Sequence, residues 1–407
     1  MRILVVLVLL AQSMLYAGPI YESQPINYYD APLIDEVAKF FENGAEGWEY
    51  KGQSGFLEDF LETFNIPAES QVLVYSKTSF QTGKIRPENP RAIYFNKDIY
   101  VGWVPGGDFL EVSASSPTTG NNFYSISGAG TKPELLHETH RCLRCHGGFF
   151  TRDIPAPLVR SVFPDSEGQP IFKAGTTVVD HTTPLEDRHG GWFVTGTNDT
   201  NRGNLVFNET DRGADEGRVF SMSDIRDIDY PGEGSDLVAM LILEHQSKLH
   251  RLLAHLSLQT QTALYSQRKF DELLGRTERL SDSTKRQIKS VGDKLLRYMF
   301  FKDEAELPRI SIKNSPYAQY FDGNGPEDSK GRSLYDFRLA GRMFEVPFSY
   351  MVYSDAFQQL PAEALEYLTA ELKAILDPDF EYEGYEHITK QEKVTIRQIL
   401  EETTELL

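Results

Sequence analysis

The sequence predicts an α+β fold, with a β-rich N-terminal and central region followed by a mainly helical C-terminal region. Two observations predict it. Between residues 71 and 112 the apolar residues fall in short β-branched and aromatic runs separated by turn residues, a pattern typical of antiparallel strands. From about Ser235 onward the apolar residues recur at helical spacing, most clearly between Leu237 and Leu274.

The predicted strands form a β-meander ahead of residue 142. The runs at 71–75, 92–95, 99–104 and 109–112 read as strands, with turn residues at 96–98 and 105–108. Further on, the runs at 158–163 and 170–172 flank Asp165-Ser166-Glu167-Gly168, which predicts a hairpin. Residues 192–196 predict another strand.

Helical patterns precede and follow this region. Before it, residues spaced by four predict two short helices around Val37 and Phe60. After Leu274, further helices are predicted near 284–301, from Pro361 to about 376, and from 390 to 407. The predicted organisation is a leader with short helices at 18–64, a mixed α/β domain at 65–234 and a mainly helical domain at 235–407.

The first 17 residues predict a secretory signal peptide. Arg2 precedes an unbroken apolar run from Ile3 to Ala11, and small Ala17 marks the end of the segment. That run is well short of the roughly 20 residues needed to span a bilayer. We therefore expect a periplasmic or secreted protein with no integral membrane segment after cleavage.

The charge balance excludes one class of partner. The formal charge is −19 at pH 7, and removing residues 1 to 17 deletes Arg2 and no acid, so it becomes −20. Such acidity argues against binding to nucleic acid. It is compatible with simple solubility, and with a basic partner protein steered by charge.

The only two cysteines stand three residues apart, and a histidine follows the second: Cys142-Leu143-Arg144-Cys145-His146. Cys-x-x-Cys-His is the attachment signature of c-type haem. Residues three apart share a helix face, so both thiols can add to the two vinyl groups of one porphyrin. The imidazole of His146 then becomes an axial ligand of the iron. The sequence therefore predicts one covalent haem c in the mixed α/β region.

Three other interpretations of the cysteine pair are weaker. A structural disulfide is the usual use of two cysteines in an exported chain, but these are adjacent on one turn and carry a histidine. A redox Cys-x-x-Cys needs a thioredoxin-like βαβ unit, and none is evident. A zinc site needs four ligands, and the chain has no second cysteine pair.

Several segments together carry a resemblance to a known family. They are 70–81, 90–96, 100–104, the haem motif at 142–146, 158–162, 190–192, 243–246 and 350–361. On these the chain resembles a family of exported monohaem c-type proteins of environmental bacteria with no assigned activity. The resemblance spans about residue 60 to about residue 380. It implies covalent haem attachment and a shared architecture, and it implies no activity.

The sixth iron ligand is predicted among three residues. His181 ends an apolar strand and precedes a Pro turn, where a loop can present it to the haem, so it is the first candidate distal ligand. His245 follows an apolar stretch of the long helix and is the second. Met222 is a third, although methionines usually fill gaps in a core.

The cofactor leaves three functions open. Electron transfer through a six-coordinate haem, with a redox partner protein of unknown identity, is the default for a monohaem c-type protein. The size of the chain suggests a further task, because a simple carrier needs about one small domain. One is a peroxidase-like enzyme, with His181 or His189 near Arg188 and Glu186 as acid–base groups. The other is a redox or gas sensor, given a loose likeness to PAS-like or Cache-like folds.

Overall fold

The computed structural model of the protein describes residues 18–128, 132–196, 203–207, 218–226, 228–276 and 280–407. The predicted signal peptide, residues 1 to 17, lies outside these ranges. The observed fold is α+β, with an antiparallel sheet in the N-terminal and central region and helices concentrated in the C-terminal region. The predicted fold class is therefore confirmed.

Six consecutive strands form one antiparallel meander, in which each strand pairs with the next along the chain. They are β1 (Val72–Val74), β2 (Arg91–Phe95), β3 (Ile99–Trp103), β4 (Leu110–Ser116), β5 (Gly120–Ser127) and β6 (Glu134–His137). The strands predicted between residues 71 and 112 are confirmed. Strands β5 and β6, which the sequence pattern did not single out, extend the sheet up to the cysteine pair.

The register of the sheet decides which side chains share a face. Ile93 of β2 pairs with Gly102 of β3, and Gly102 pairs with Glu111 of β4. Because side chains alternate along a strand, these positions point to one face, and their sequence neighbours point to the other.

Two short helices cover one face of the sheet. Helix α1 (Glu36–Glu42) and helix α2 (Leu57–Thr63) pack Val37 and Phe60 against Tyr94 and Val112. Asp35 accepts a hydrogen bond from the backbone N–H of Ala38 at the start of α1. Its other oxygen accepts from the hydroxyl of Tyr124 at 2.5 Å. One buried carboxylate thus caps the helix and fastens it to β5.

A mixed segment follows β6. It contains the single-turn helix α3 (Leu143–His146), the paired strands β7 (Val159–Val162) and β8 (Thr176–Val179), and the short pair β9 (Leu205–Val206) and β10 (Arg218–Val219). The predicted hairpin is present at its tip, where Pro164 bridges Pro170 and the N–H of Ile171 donates to the carbonyl oxygen of Phe163. Its regular pairing lies further on, between β7 and residues 176–179, because Phe172–Ala174 form a 3₁₀ helix. The predicted strand at 192–196 makes only isolated bridges, to Val74 and Asp236.

The helical region begins with α4 (Leu237–Leu274), a helix of 38 residues capped by Asp236. Its neighbour α5 (Asp282–Met299) packs against it. The remaining elements are α6 (Pro316–Asp322), the paired strands β11 (Phe337–Ala340) and β12 (Arg342–Phe344), α7 (Asp355–Gln358), α8 (Ala362–Ile375) and α9 (Lys390–Thr403). The predicted helices near 284, 361 and 390 are confirmed, although α9 ends four residues before the C-terminus.

Helix α4 joins the two halves of the molecule. Its first six turns bury apolar residues on all sides, and one continuous apolar core contains Phe95 and Tyr100 of the sheet together with Leu243 and Leu295 of the helices. A helix that is apolar all round belongs inside a protein core. In the part of the chain that the structure describes, no helix has the length and apolar character needed to cross a membrane.

A buried ion pair crosses this core. Arg188 Nη1 lies 2.8 Å from Glu244 Oε2 of α4, and the two side chains are 1% and 0% exposed. Arg188 also donates to the backbone carbonyl oxygens of Thr183 and His181. The guanidinium therefore ties the loop after β8 to the middle of α4.

We expect Glu244→Gln to lower the free energy of unfolding by about 3–5 kcal/mol, because it leaves the Arg188 charge buried without its counter-ion. The matched control is Glu401→Gln, which breaks the exposed pair with Arg397 at 2.8 Å and should cost about 0.5 kcal/mol or less. Urea denaturation of the two variants beside the wild type measures both values. Equal losses in the two variants would contradict the role given to the buried pair.

Candidate functional site

A cavity of about 240 Å³ lies between the sheet, helix α3 and helix α4. Both cysteines and His146 line it, so the three residues of the haem motif face one common space. Much of the remaining lining comes from the sheet, from Trp192 and from α4; it includes Val74, Ile93, Tyr100, Phe123, Trp192, Leu243 and Ser247. Cys145 is exposed to solvent.

The sheet supplies a charged pair to the cavity. Arg91 Nη2 of β2 lies 2.8 Å from Glu111 Oε2 of β4, and the hydroxyl of Ser79 donates to Glu111 Oε1 at 2.5 Å. Gly102 of β3 stands between the two charges. A Cβ at Gly102 would overlap Nη2 of Arg91 and lie 2.5 Å from its Nε. Glycine is thus the residue that lets the guanidinium cross β3.

The two cysteines sit on the single turn of α3, where the N–H of His146 donates to the carbonyl oxygen of Cys142 at 2.9 Å. Both side chains are free thiols. Burial, together with the nearby carboxylates of Glu138 and Glu111, raises the pKa of Cys142 to about 12. A dithiol oxidoreductase needs the opposite, a thiol with a lowered pKa, so the redox interpretation of the pair gains no support.

The ring of His146 has a fixed orientation. Its Nδ1 lies 3.0 Å from the carbonyl oxygen of Ala156, which can only accept, so Nδ1 carries the proton. The N–H of Ala156 donates back to the carbonyl oxygen of His146 at 2.9 Å. Burial lowers the pKa of His146 to about 4, which keeps the ring neutral near pH 7. Nε2, without a partner among the described residues, therefore keeps its lone pair for a metal.

Two arginines stand over aromatic rings at the edge of the cavity. The guanidinium of Arg141 lies 4.6 Å from the ring centre of Phe80, and that of Arg160 lies 4.2 Å from the ring centre of Phe150. Phe149, next to this edge in the chain, is 89% exposed. The edge therefore combines positive charge with exposed aromatic surface in a protein whose net charge is −19.

The residues present fit a c-type haem. Two thiols three residues apart can reach one porphyrin edge, the neutral imidazole presents Nε2 to an iron, and the arginines suit the carboxylates that a haem carries. A directly bound metal is a poorer match. Among the described residues, no group of three or more His, Cys, Asp and Glu side chains could hold a metal ion.

The two predicted distal ligands lie together on the other side of α4. Nδ1 of His181 is 2.8 Å from Nδ1 of His245, and both side chains are fully buried. Leu243 and Ser247 face the cavity, and two residues turn an α-helix by about 200°, so His245 points away from it. Neither histidine lines the cavity, and the structure does not bring them to His146.

These histidines take part in an aromatic stack. The rings of His181 and Tyr298 are 3.9 Å apart and nearly parallel, and Phe301 lies beside both histidines. Nε2 of His245 is 2.8 Å from the hydroxyl of Ser349. Burial lowers the pKa of His245 to about 3 and holds that of His181 well below its usual range. Both rings are neutral core residues.

The other predicted groups are also away from the cavity. His189 Nε2 lies 3.0 Å from Glu244 Oε1, next to Arg188, so these two members of the acid–base set predicted for a peroxidase belong to the buried ion-pair cluster. The third member, Glu186, is exposed and does not line the cavity. Met222 packs against the core on the α1 and α2 side of the sheet. The prediction that His181, His245 or Met222 completes the iron coordination has no geometric support.

Sequence analysis missed the polar residues that do line the cavity. Tyr100 of β3 has its hydroxyl 2.7 Å from Nδ1 of His250, which lies one turn beyond Ser247 on α4. The hydroxyl of Ser247 is buried beside that of Tyr100. The alternation of side chains predicts which residues of β3 share a face. It does not show which face α4 covers, and that decides which residues line the cavity.

Comparison with known proteins gives no match, so the site is interpreted from its own residues. No family model, no curated protein and no solved structure matches the chain.

We expect Gly102→Ala to lower the free energy of unfolding by about 1–3 kcal/mol, because the added methyl group displaces Arg91 from Glu111. Gly83→Ala is the matched control, since a Cβ there would meet nothing within 4 Å, and its effect should stay within about 0.5 kcal/mol. Thermal or urea unfolding distinguishes the two. If Gly102→Ala is as stable as Gly83→Ala, the steric role of Gly102 is wrong.

Glu304 provides a pH test of the buried cluster behind α4. Burial raises its pKa from 4.5 to about 7, and its Oε1 accepts the N–H of Met343 at 2.8 Å. A raised pKa stabilises the fold below about pH 4.5, and that contribution is lost as the pH rises towards 7 and beyond. Glu304→Gln keeps the acceptor and cannot titrate.

The stability of Glu304→Gln relative to the wild type should therefore increase between pH 5 and pH 8, by an amount on the order of 2 kcal/mol. Urea denaturation of both proteins at several pH values measures the difference. A difference that is the same at pH 5 and pH 8 contradicts the raised pKa.

Proposed function

We propose that this protein is a periplasmic or secreted monohaem c-type cytochrome. In this proposal Cys142 and Cys145 hold one haem c through thioether bonds, and His146 binds its iron. The observation that carries the proposal is that both thiols and the free Nε2 of His146 face the same cavity. The signal peptide predicted for the first 17 residues supports the proposal, since export would bring the chain to the compartment where such attachment takes place.

The side of the haem opposite His146 would be open to a ligand. All nine histidines of the chain lie among the described residues, and His146 alone lines the cavity. Of the seven methionines, the five described ones are also absent from the cavity lining, and the other two are Met1 and Met14 of the signal peptide. A simple carrier with a six-coordinate haem would need a second strong protein ligand.

This arrangement favours the peroxidase-like alternative over simple electron transfer. A haem with one protein ligand supplies a redox-active iron that can bind and reduce a small oxidant such as a peroxide. Arg91 and Glu111 bring a charged, hydrogen-bonded pair to the cavity, and Tyr100 and Ser247 bring hydroxyl groups. These are groups that can hold or move a proton beside a bound oxidant. Electrons for a full turnover would come from a redox partner protein.

The remaining cavity residues have a supporting role. Ala156, fixed between Pro155 and Pro157, orients the His146 ring through its carbonyl group. Val74, Trp192 and Leu243 give the cavity an apolar wall that limits entry of water. Apolar surroundings strengthen the electrostatic effect of the few polar groups that remain.

We expect the protein, produced in a host with c-type haem maturation, to carry covalent haem with a high-spin ferric spectrum and to bind carbon monoxide when reduced. Replacing Cys142 and Cys145 with Ser should abolish the haem stain on a denaturing gel. Absorption and electron paramagnetic resonance spectra report the spin state.

The control is His181→Ala, which should leave the spin state unchanged because His181 lies behind α4. A low-spin ferric spectrum that His181→Ala converts to high spin would instead support the six-coordinate carrier. A chain that matures without covalent haem would overturn the proposal as a whole.

A further inference from the structure

We propose that Tyr100 is a redox-active tyrosine that gives one electron to an oxidant in the cavity, and that His250 takes up its phenolic proton. The inference rests on the proposed function, since it needs a haem in the cavity and a peroxide as the oxidant. It assigns a reaction to two residues that the haem motif does not involve.

The position of Tyr100 in the cavity supports the proposal. Tyr100 lines the same cavity as Cys142 and His146, and only 6% of its surface is exposed. Tyrosine oxidation is productive where the ring is close to the oxidant and shielded from solvent. Of the tyrosines that line the cavity, Tyr124 has its hydroxyl committed to the carboxylate of Asp35 on the opposite face of the sheet. Tyr100 is therefore the one whose hydroxyl meets a base on the α4 side.

The hydrogen bond between Tyr100 and His250 also supports the proposal. The Tyr100 hydroxyl lies 2.7 Å from Nδ1 of His250, and His250 is 1% exposed. Oxidised phenol is a strong acid, so a tyrosine in a core can lose an electron only if a nearby base takes its proton. Burial lowers the pKa of His250 to about 4. The ring is therefore neutral near pH 7 and has a nitrogen able to accept.

The surroundings of His250 suit a transient positive charge. Asp98, whose carboxylate is mostly buried and lies 3.2 Å from Lys97 Nζ, acts electrostatically on His250 and favours its protonated form. The backbone carbonyl oxygen of Lys97 also favours the protonated form of His250. The imidazolium formed by proton transfer would thus have a counter-charge and a backbone acceptor nearby.

Electrons and protons balance in the proposed reduction of peroxide. Reduction of hydrogen peroxide to two water molecules consumes two electrons and two protons. A reduced haem held by Cys142, Cys145 and His146 would supply one electron. Tyr100 supplies the other and becomes a neutral tyrosyl radical, while its proton moves to Nδ1 of His250; the two protons that enter water come from solvent. A redox partner returns an electron to Tyr100, and His250 then gives the proton back.

A buried tyrosine outside the cavity provides the control. Tyr350 is 1% exposed and donates to Oε1 of Gln246 on α4 at 2.7 Å. It resembles Tyr100 in burial and in its contact with α4, but it does not line the cavity and has no base at its hydroxyl. Tyr350→Phe therefore removes a comparable hydroxyl group without touching the proposed pair.

The test is rapid-freeze electron paramagnetic resonance of the reduced haem protein after mixing with one equivalent of hydrogen peroxide. We expect a radical signal in the wild type that narrows when the protein contains ring-deuterated tyrosine. Tyr100→Phe should lose the signal, and Tyr350→Phe should keep it. His250→Gln, which retains a hydrogen-bond acceptor but not a base, should lower the radical yield at least several-fold.

The same samples distinguish failure of the proposed haem function from failure of the tyrosine proposal alone. Absence of covalent haem, or failure to bind carbon monoxide, overturns the proposed function and this inference with it. Haem that binds carbon monoxide and consumes peroxide without a tyrosyl signal overturns the inference alone. A signal that persists in Tyr100→Phe, for example on Trp192, also overturns it.

Discussion

The packing of α4 against one face of the six-stranded sheet is the constraint on which the rest of the structure depends. Consecutive residues of its buried turns point in different directions and therefore contact different parts of the protein. Leu243 and Ser247 face the cavity, Glu244 holds Arg188, and His245 joins His181 in an aromatic stack. A helix that is buried all round thus separates two polar regions, one beside the haem motif and one within the helical core.

In the sheet, the alternation of side chains along each strand decides which residues face α4. Arg91, Gly102 and Glu111 lie on neighbouring strands and on the same face, where a charged pair can cross a glycine. The opposite face is apolar and packs on the short N-terminal helices. The cavity is therefore amphipathic because it lies where the polar stripe of the sheet meets α4, and the cysteine pair closes it from the side.

Much of this could be predicted from the sequence. The α+β class, four strands of the sheet and the four longer C-terminal helices follow from the hydrophobic period. The spacing of the cysteine pair and its histidine predicts a haem site, and the three residues share one cavity. The predicted hairpin around residues 165–168 pairs only at its tip, and its regular strand begins at Thr176, because Phe172–Ala174 form a tight turn that no periodicity signals. Strands β5 and β6 were missed since their polar residues, such as Asn121 and Asn122, obscure the alternation although both are buried.

The iron environment was less predictable for a geometric reason. His181 and His245 stand in local sequence patterns that suit a ligand, but the orientation of α4 turns His245 away from the cavity, and His181 packs against it there. Conversely, Tyr100 and His250 are 150 residues apart, and nothing local in either segment indicates that they meet. Ala156 is another example, since its carbonyl group orients His146 from a Pro-flanked segment without any side-chain signature.

The burial of α4 around Ser247 also has an evolutionary consequence. Inserting or deleting one residue near Ser247 would rotate everything beyond it by about 100°, separating His250 from Tyr100 while leaving Glu244 with Arg188. Substitutions in this stretch affect one neighbour at a time, whereas a change in length near Ser247 displaces every contact that the helix makes beyond that point. Lineages that keep this architecture should therefore vary the loops around α4 freely and preserve the number of residues between Glu244 and His250.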